Sequence, residues 1–149
     1  MSLTISLKPA ETVDYAFALD LYLMTMRPLT SQLMTWDEGR QIASFAHQWR
    51  GDEVRIILLD GSEVGWIQTR EEAPKIRLLQ FFIMPDQQGR GIGSEVLAQL
   101  LAQGDSAGKP VTLAVLRNNP ARRLYERFGF TVVDETGLKL RMERQSSPM

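Results

Sequence analysis

The stretch that decides the fold of this chain is Phe81-Phe-Ile-Met-Pro-Asp-Gln-Gln-Gly-Arg-Gly-Ile-Gly93. Its first part is apolar and is closed by Pro85, as at the end of a buried strand. Three glycines follow at alternate positions, and an apolar stripe at helical spacing begins at Ile92. Glycine permits positive φ and close backbone approach, so successive N–H groups can turn toward one anion where a helix begins. The segment therefore predicts a strand, a phosphate-binding turn and a helix, with Arg90 adding a positive charge.

The spacing of the glycines excludes two common nucleotide-binding patterns. Gly89, Gly91 and Gly93 give G-x-G-x-G, which differs from the dinucleotide fingerprint G-x-G-x-x-G. The apolar Leu113 stands where that fingerprint needs an acidic residue, and the chain has no Gly-Lys followed by Ser or Thr as in a P-loop. On this segment alone, a nucleotide-binding domain of another kind and a turn that binds no ligand stay open.

Hydrophobic periodicity on both sides of this segment predicts one α/β (α+β) domain. The predicted order of elements is βααβββαβαββ, with a mixed sheet of about seven strands flanked by about four helices. The predicted strands cover residues 3–8, 54–59, 64–69, 76–84, 111–116, 130–133 and 138–142. Residues 1–144 are expected to form the domain, and residues 145–149 a disordered tail.

Local signals predict where several of these elements begin and end. A first helix over residues 11–26 is expected to end at Arg27-Pro28, with Val13, Phe17, Leu21 and Met24 on its inner face. Thr35 and Glu38 match a capping box at the start of a second helix. Asp60-Gly61 predicts a tight β-hairpin.

Composition excludes several classes of chemistry. The 149 residues are 44% hydrophobic and 23% charged, typical of a globular chain, and a net charge of −1 argues against a general nucleic-acid binder. Without cysteine, and with His47 as the one histidine, the chain has no disulfide, no thiolate nucleophile, no Cys-ligated zinc and no multi-histidine metal site. Neither a signal peptide nor a membrane-spanning stretch is predicted, so the expected location is cytoplasmic.

A second segment, Val115-Leu-Arg-Asn-Asn-Pro-Ala-Arg-Arg-Leu-Tyr-Glu-Arg-Phe-Gly-Phe130, follows one strand after the first. Together the two segments strongly resemble the GNAT superfamily of acyl-CoA-dependent N-acetyltransferases. The cofactor motif of that superfamily, (Gln/Arg)-x-x-Gly-x-(Gly/Ala), is matched by Gln88, Gly91 and Gly93. Its later signature is an Asn before a helix that carries Ala and Tyr and then Gly-Phe, matched by Asn119, Ala121, Tyr125 and Gly129-Phe130. The two motifs cover about residues 76–133.

The resemblance implies a role for each matching residue. In such enzymes the strand before the glycine-rich loop pairs through its backbone with the pantetheine arm, at Phe81 and Ile83 here, and the following loop binds the pyrophosphate. Asn119 would contact the pantetheine arm, and Tyr125 would lie near the cofactor sulfur as a general acid or hydrogen-bond donor. Asn118 would replace Asn119 if the alignment shifts by one residue; either asparagine also suits a plain N-cap, and Tyr125 also suits a core side chain. The implied cofactor-binding residues are Phe81, Ile83, Gln88, Gly89, Arg90, Gly91, Ile92, Gly93, Ser94, Asn119 and Tyr125.

The implied reaction is the transfer of an acetyl group from acetyl-CoA to a primary amine of a small molecule or a protein. The Ile83 N–H is the candidate oxyanion donor, and no metal is implied. Some members carry a catalytic glutamate on the strand before the loop or on the next one, where this chain has Arg77, Gln80 and Ala114. Candidate bases are then Glu38, Glu71, Glu72 and His47, each of which also suits a cap or a surface position.

The acceptor end of the implied site corresponds to residues 22–49. Trp36 and Trp49 are possible walls there, and Asp37 is a possible contact for the amine. The missing base keeps an alternative open, namely a catalytically idle module that binds and senses acyl-CoA. The expected partners are acetyl-CoA and an amine acceptor, with a homodimer as a possible assembly and neither nucleic acid nor a membrane as a partner.

Overall fold

The computed structural model of the chain describes residues 4–147. These residues form seven strands and four α-helices. In chain order they are β1 (Ile5–Pro9), α1 (Asp14–Leu33), α2 (Glu38–Gln48), β2 (Val54–Leu59), β3 (Ser62–Glu72), β4 (Lys75–Ile83), α3 (Ile92–Ala107), β5 (Val111–Leu116), α4 (Ala121–Arg127), β6 (Thr131–Thr136) and β7 (Lys139–Arg144). Residue 3, where the first strand was expected to begin, and residues 148–149 of the expected tail lie outside the described residues.

The seven strands form one mixed sheet in the order β1-β2-β3-β4-β5-β7-β6. The pairs β1–β2, β2–β3, β5–β7 and β6–β7 are antiparallel. The pair β4–β5 is parallel, because α3 carries the chain back between these two strands. The predicted mixed sheet of about seven strands with about four helices is therefore confirmed.

The hairpin between β2 and β3 has the predicted turn. Asp60 has a φ of 50° and Gly61 a φ of 87°, so both central residues adopt the left-handed conformation that a primed two-residue turn requires. The stripe predicted for α3 is also confirmed. Ile92, Val96, Leu97, Leu100 and Leu101 are all buried.

By its internal contacts the chain divides into two compact units. One comprises the residues up to Gln68 together with Gln80–Gln88. Its core is largely aromatic and contains Ala18, Leu21, Tyr22, Phe45, Val54, Ile56, Trp66 and Phe82. The other comprises Thr69–Leu79 and the residues from Gly89 onward, and its buried side chains come chiefly from α3, β5 and β7.

The first helix differs from the prediction in length and in orientation. It does not end at Pro28 but continues to Leu33, with Pro28 inside it. A proline removes one backbone hydrogen bond, and the burial of Thr30 together with the half-burial of Leu29 and Leu33 holds the helix beyond that point.

The buried face of α1 is also rotated relative to the prediction. Val13 and Met24 are 76% and 57% exposed, whereas Ala18, Leu21 and Tyr22 are buried. The rotation follows from the Tyr22 ring, which packs 5.1 Å from the Phe45 ring and 5.8 Å from the Phe82 ring.

The start of α2 uses a different cap from the one predicted. Asp37, not Thr35, is the N-cap residue, and its Oδ1 accepts a hydrogen bond from the Arg40 N–H at 3.1 Å. A short carboxylate directly before the helix satisfies one of the free N–H groups of the first turn. Glu38 is consequently the first helical residue and is not part of a capping box.

Candidate functional site

The glycine-rich segment forms an open turn that leads into α3. Gly89 and Gly91 have φ values of 79° and 82°, in the left-handed region that favours glycine. A Cβ at either position would meet no atom of the described chain within 4 Å, so these glycines serve conformation and not close packing. The Glu95 N–H bonds to the Gly91 carbonyl at 3.0 Å, so the earlier N–H groups of the first turn have no acceptor within the helix. N–H groups at the positive end of a 16-residue helix suit a phosphate.

The other residues assigned to the turn lie in and around it. Ile92 is buried and anchors the first turn of α3, whereas Gly93 and Ser94 are half-buried. Arg90 is exposed, between the two glycines of positive φ. The charged side chain therefore lies at the solvent side of the turn, where it adds to the field of the helix terminus.

The end of β4 presents its residues alternately to two faces. The Phe82 side chain is 7% exposed and packs on Trp66, with 5.3 Å between ring centroids. Phe81 and Ile83 are half-buried and, by the alternation of a strand, belong to the opposite face. Within the described chain the pairing between β4 and β5 ends at Leu78 with Leu113, so Phe81 and Ile83 come after the last parallel pair.

Gln88 contacts the strand residue proposed for the cofactor. Its Nε2 donates a hydrogen bond of 3.0 Å to the Ile83 carbonyl oxygen. The Gln88 side chain is exposed and is thus held by this bond and not by packing. Of the two backbone groups of Ile83, the carbonyl thus has a partner within the chain.

Asn119 caps α4. Its Oδ1 accepts a hydrogen bond of 2.9 Å from the Ala121 N–H, and its carbonyl accepts one of 3.2 Å from the Arg122 N–H. The side-chain amide group takes no part in the cap and keeps its two donors for another partner. Asn119 and the neighbouring Asn118 are both half-buried. Of the two, Asn119 is the one whose side chain bonds to the Ala121 N–H at the start of α4.

Tyr125 is a buried residue on α4. Its side chain is 6% exposed, and its ring packs edge-on against Phe130 at 5.7 Å. The expected burial of the ring is confirmed. Burial raises the pKa of its phenol well above the ordinary value of 10, so the hydroxyl carries its proton throughout the physiological range. Among residues 4–147 no group forms a hydrogen bond to this hydroxyl.

The residues proposed for the acceptor end have different surroundings. Trp49 belongs to the aromatic core, with ring centroids 5.2 Å from Tyr15 and 5.6 Å from Phe45. Asp37 is engaged as the cap of α2. Trp36 is half-buried, and its indole N–H is buried without an acceptor in the described part of the chain.

The candidate bases are surface groups. The Glu71 Oε2 lies 3.7 Å from the Lys109 Nζ, and the Glu72 Oε1 lies 3.4 Å from an Arg77 guanidinium nitrogen. Glu38 and His47 are exposed on α2. None of these four is buried, and none is held in a pocket beside the glycine-rich turn by any contact described above.

A residue outside the motifs, Gly65, lies within β3. A Cβ there would overlap the carbonyl oxygen of Phe82 on the neighbouring strand. A glycine inside an otherwise apolar strand is the usual signal for such a close approach of two backbones, and Val64-Gly-Trp66 carries that signal.

Two further properties bear on the possible chemistry. Among the described residues, no group of three or more His, Cys, Asp or Glu side chains is placed to hold a metal ion. No helix in residues 4–147 is both long and apolar enough to cross a membrane.

Comparison with solved structures shows the same fold. One is the PaiA N-acetyltransferase from Thermoplasma acidophilum in complex with coenzyme A: identity is 16%, 95% of this chain and 99% of that one are covered, and the TM-score is 0.73. An acetyltransferase from Thermus thermophilus is 21% identical, with 95% of this chain and 97% of that one covered and a TM-score of 0.69. Naa50 of Arabidopsis thaliana in complex with a bisubstrate analogue is 18% identical, with 95% of this chain and 98% of that one covered and a TM-score of 0.64.

Comparison of sequences places the chain in a family. No curated protein sequence matches it significantly. Residues 50–132, more than half of the chain, match the family model described as an acetyltransferase (GNAT) domain. The matched region contains β4, the glycine turn, α3, β5 and α4. The chain therefore belongs to the GNAT acetyltransferase family.

Proposed function

We propose that this protein is an N-acetyltransferase that moves the acetyl group of acetyl-CoA to a primary amine by direct attack on the thioester. The observation that carries the proposal is the open turn at Gly89 and Gly91, two exposed glycines of positive φ that lead directly into the start of α3. It lies inside the region that matches the acetyltransferase family. A relative of the same fold was crystallised with coenzyme A, which supports this ligand.

The residues of the turn and of β4 would hold the cofactor. N–H groups from Gly89 to Ser94 would bind the pyrophosphate, with the helix terminus and Arg90 supplying positive potential. The backbone of Phe81 and Ile83 would pair with the pantetheine arm. Asn119 would contribute its side-chain amide, which its capping role leaves available.

The reaction begins when a neutral amine attacks the thioester carbonyl carbon. The C–N bond forms as the carbonyl π pair moves onto oxygen, and the resulting oxyanion accepts a hydrogen bond from the Ile83 N–H. Collapse of this intermediate breaks the C–S bond, and the coenzyme leaves as a thiolate. The amine proton passes to water, because none of the candidate carboxylates is buried.

Tyr125 would stabilise the departing thiolate. An ordinary alkyl thiol has a pKa of about 8.5. Burial raises the pKa of the Tyr125 phenol above its usual value, so full proton transfer from phenol to thiolate would be uphill. We therefore assign Tyr125 as a hydrogen-bond donor to the sulfur, in preference to a general acid that gives up its proton.

The second candidate is a catalytically idle module that binds acyl-CoA. The observation that favours it is the state of the candidate bases, since Glu71 and Glu72 are paired with cations and Glu38 and His47 are exposed on α2. Turnover separates the two candidates, because an idle module binds acetyl-CoA but releases no free thiol when amines are added. The domain limits of 1–144, a cytoplasmic location and pairing as a homodimer stay predictions from the sequence.

The test is a thermal shift of the purified protein with acetyl-CoA, CoA, NAD and ATP, followed by thiol release with a panel of primary amines. A ligand at a hundred times its dissociation constant adds about 2.7 kcal/mol of stability, which raises the Tm by several degrees. We expect a shift with the two CoA species alone. A shift with ATP or NAD but not with CoA would refute the assignment of the turn.

A further inference from the structure

Gly65 lies where the backbone of β4 comes closest to β3. The Met84 N–H donates a hydrogen bond of 2.8 Å to the Val64 carbonyl, so the two strands are adjacent at this point. A Cβ at Gly65 would overlap the Phe82 carbonyl oxygen and would lie 3.2 Å from the Ile83 Cα. Gly65 is itself buried, so the space above it is filled by the backbone of β4 and not by solvent.

The atoms above Gly65 have little freedom to move. Two of the three nearest belong to the backbone of β4, which cannot rotate aside as the end of a side chain can, and the third is the Ile83 Cδ1, 3.1 Å from the Cβ position. The Phe82 ring fixes the strand from the other face, 5.3 Å from the Trp66 ring and 5.8 Å from the Tyr22 ring. A side chain at position 65 would therefore have to turn the Phe82–Ile83 peptide group or displace the strand.

The direction of that peptide group determines where the Ile83 N–H points. In a planar trans peptide the C=O and the N–H point in opposite directions, so the Ile83 N–H is directed away from Gly65 when the Phe82 carbonyl is directed toward it. The peptide group between Ile83 and Met84 has the orientation that regular strand alternation requires. Its N–H, on Met84, faces Val64, and its carbonyl, on Ile83, is held by Gln88. Both backbone groups of Ile83 are thus directed away from β3.

We infer that Gly65 is a positioning residue for acetyl transfer: by leaving room for the Phe82 carbonyl, it aims the Ile83 N–H at the thioester oxygen. The inference rests on the proposed function, in which that N–H is the oxyanion donor. Gly65 touches neither substrate nor cofactor in this role and acts through the peptide group alone.

The test compares the full-length Gly65→Ala variant with wild type in steady-state acetylation of an amine that the wild type accepts. Removing one oxyanion donor costs roughly 10²- to 10³-fold in kcat. We expect a loss of about a hundredfold in kcat for Gly65→Ala with the KM for acetyl-CoA little changed, because the hydrogen bond to the carbonyl oxygen is weak in the bound substrate and strengthens as negative charge develops in the transition state. The same kcat as wild type would overturn the inference.

Gly104→Ala is the matched control for loss of stability. Its Cβ would lie 3.0 Å from the Lys109 carbonyl oxygen and 3.2 Å from a methyl of Val111, late in α3 and outside the proposed site. We expect this variant to lower the Tm and to keep kcat. Equal losses of kcat and Tm in the two variants would reduce Gly65 to a structural residue and would refute the inference.

A measurement on the wild type covers the case in which Gly65→Ala does not fold. The amide proton of Ile83 is followed by NMR with acetyl-CoA and with CoA, which differ in the acetyl group on sulfur and hence in the thioester carbonyl. A downfield shift with acetyl-CoA relative to CoA is expected, and identical shifts would overturn the inference. Failure of the proposed function is distinguishable, because the wild type would then acetylate no amine at all.

Discussion

Replacing Gly91 by Asp and, separately, by Asn tests the anion-binding turn most directly. Gly91 is the N-cap residue of α3, its φ is 82°, and as a glycine it has no side chain to cap the helix. Asp and Asn have nearly the same shape, and both visit the left-handed conformation more readily than other residues with a side chain. Open space surrounds the position, so neither substitution meets a steric obstacle in the described chain. The two variants therefore differ in one negative charge.

That charge should act oppositely on the unliganded protein and on its complex. At a helix N-terminus a carboxylate stabilises the helix by about 0.3–1 kcal/mol, so the Asp variant should unfold at the same or a higher temperature than the Asn variant. Toward a bound pyrophosphate, one unit charge at about 6 Å and an effective dielectric constant of about 20 repels another by about 3 kcal/mol. This corresponds to roughly a hundredfold in the dissociation constant.

The assay is isothermal titration with acetyl-CoA at low and high salt, alongside thermal unfolding of the free variants. We expect the Asp variant to bind about a hundredfold more weakly than the Asn variant. The gap should narrow at about 1 M salt, where the Debye length falls to about 3 Å. Equal dissociation constants for the two variants would show that no anion binds at this turn.

Three further predictions concern the reaction and the stability of the fold. Tyr125→Phe should lower kcat about tenfold or more with the dissociation constant for CoA unchanged, because a hydrogen bond to a charged group contributes about 1.5–3 kcal/mol; an unchanged kcat would leave Tyr125 as a core residue only. The acetylation rate should climb with pH toward the pKa of the amine, about 10 for a lysine-like acceptor, whereas a plateau near pH 7 would reveal a base on the protein. The hydrogen bond from Arg144 holds the pKa of Asp105 below its usual range, so its stabilisation is present above the ordinary carboxyl pKa and is lost as the pH falls through the lower folded value. Asp105→Asn should accordingly lower the Tm at pH 7 but not at pH 2, and an equal loss at both would contradict the pairing.

The sequence predicts best the elements whose signals are local. The hairpin at Asp60-Gly61 follows from backbone conformations that few residues adopt. The buried stripe of α3 follows from five apolar residues at helical spacing that have no competing arrangement. In each case the residues that decide the structure are close together in the chain.

The errors concern residues whose place depends on distant contacts. Whether the helix continues through Pro28 depends on the burial of Thr30, and nothing in the local sequence reveals that burial. The inner face of α1 is set by Tyr22 against Phe45 and Phe82, residues that lie far away in the chain. A propensity rule gives the local cost of a conformation, and tertiary packing decides whether that cost is accepted.

The proposed site is visible in the sequence mainly through its glycines, because backbone groups carry most of the proposed chemistry. Backbone N–H groups are the same at every residue, so a sequence shows only what permits their exposure. Gly89 and Gly91 expose these groups by adopting positive φ, and their spacing forms a recognisable motif. Gly65 acts by leaving space for the backbone of a neighbouring strand, so it belongs to no motif. Its proposed role depends on the position of the Phe82 carbonyl, which the structure supplies. Substitutions at these three positions should therefore separate binding from catalysis: the turn glycines affect the affinity for CoA, and Gly65 affects kcat.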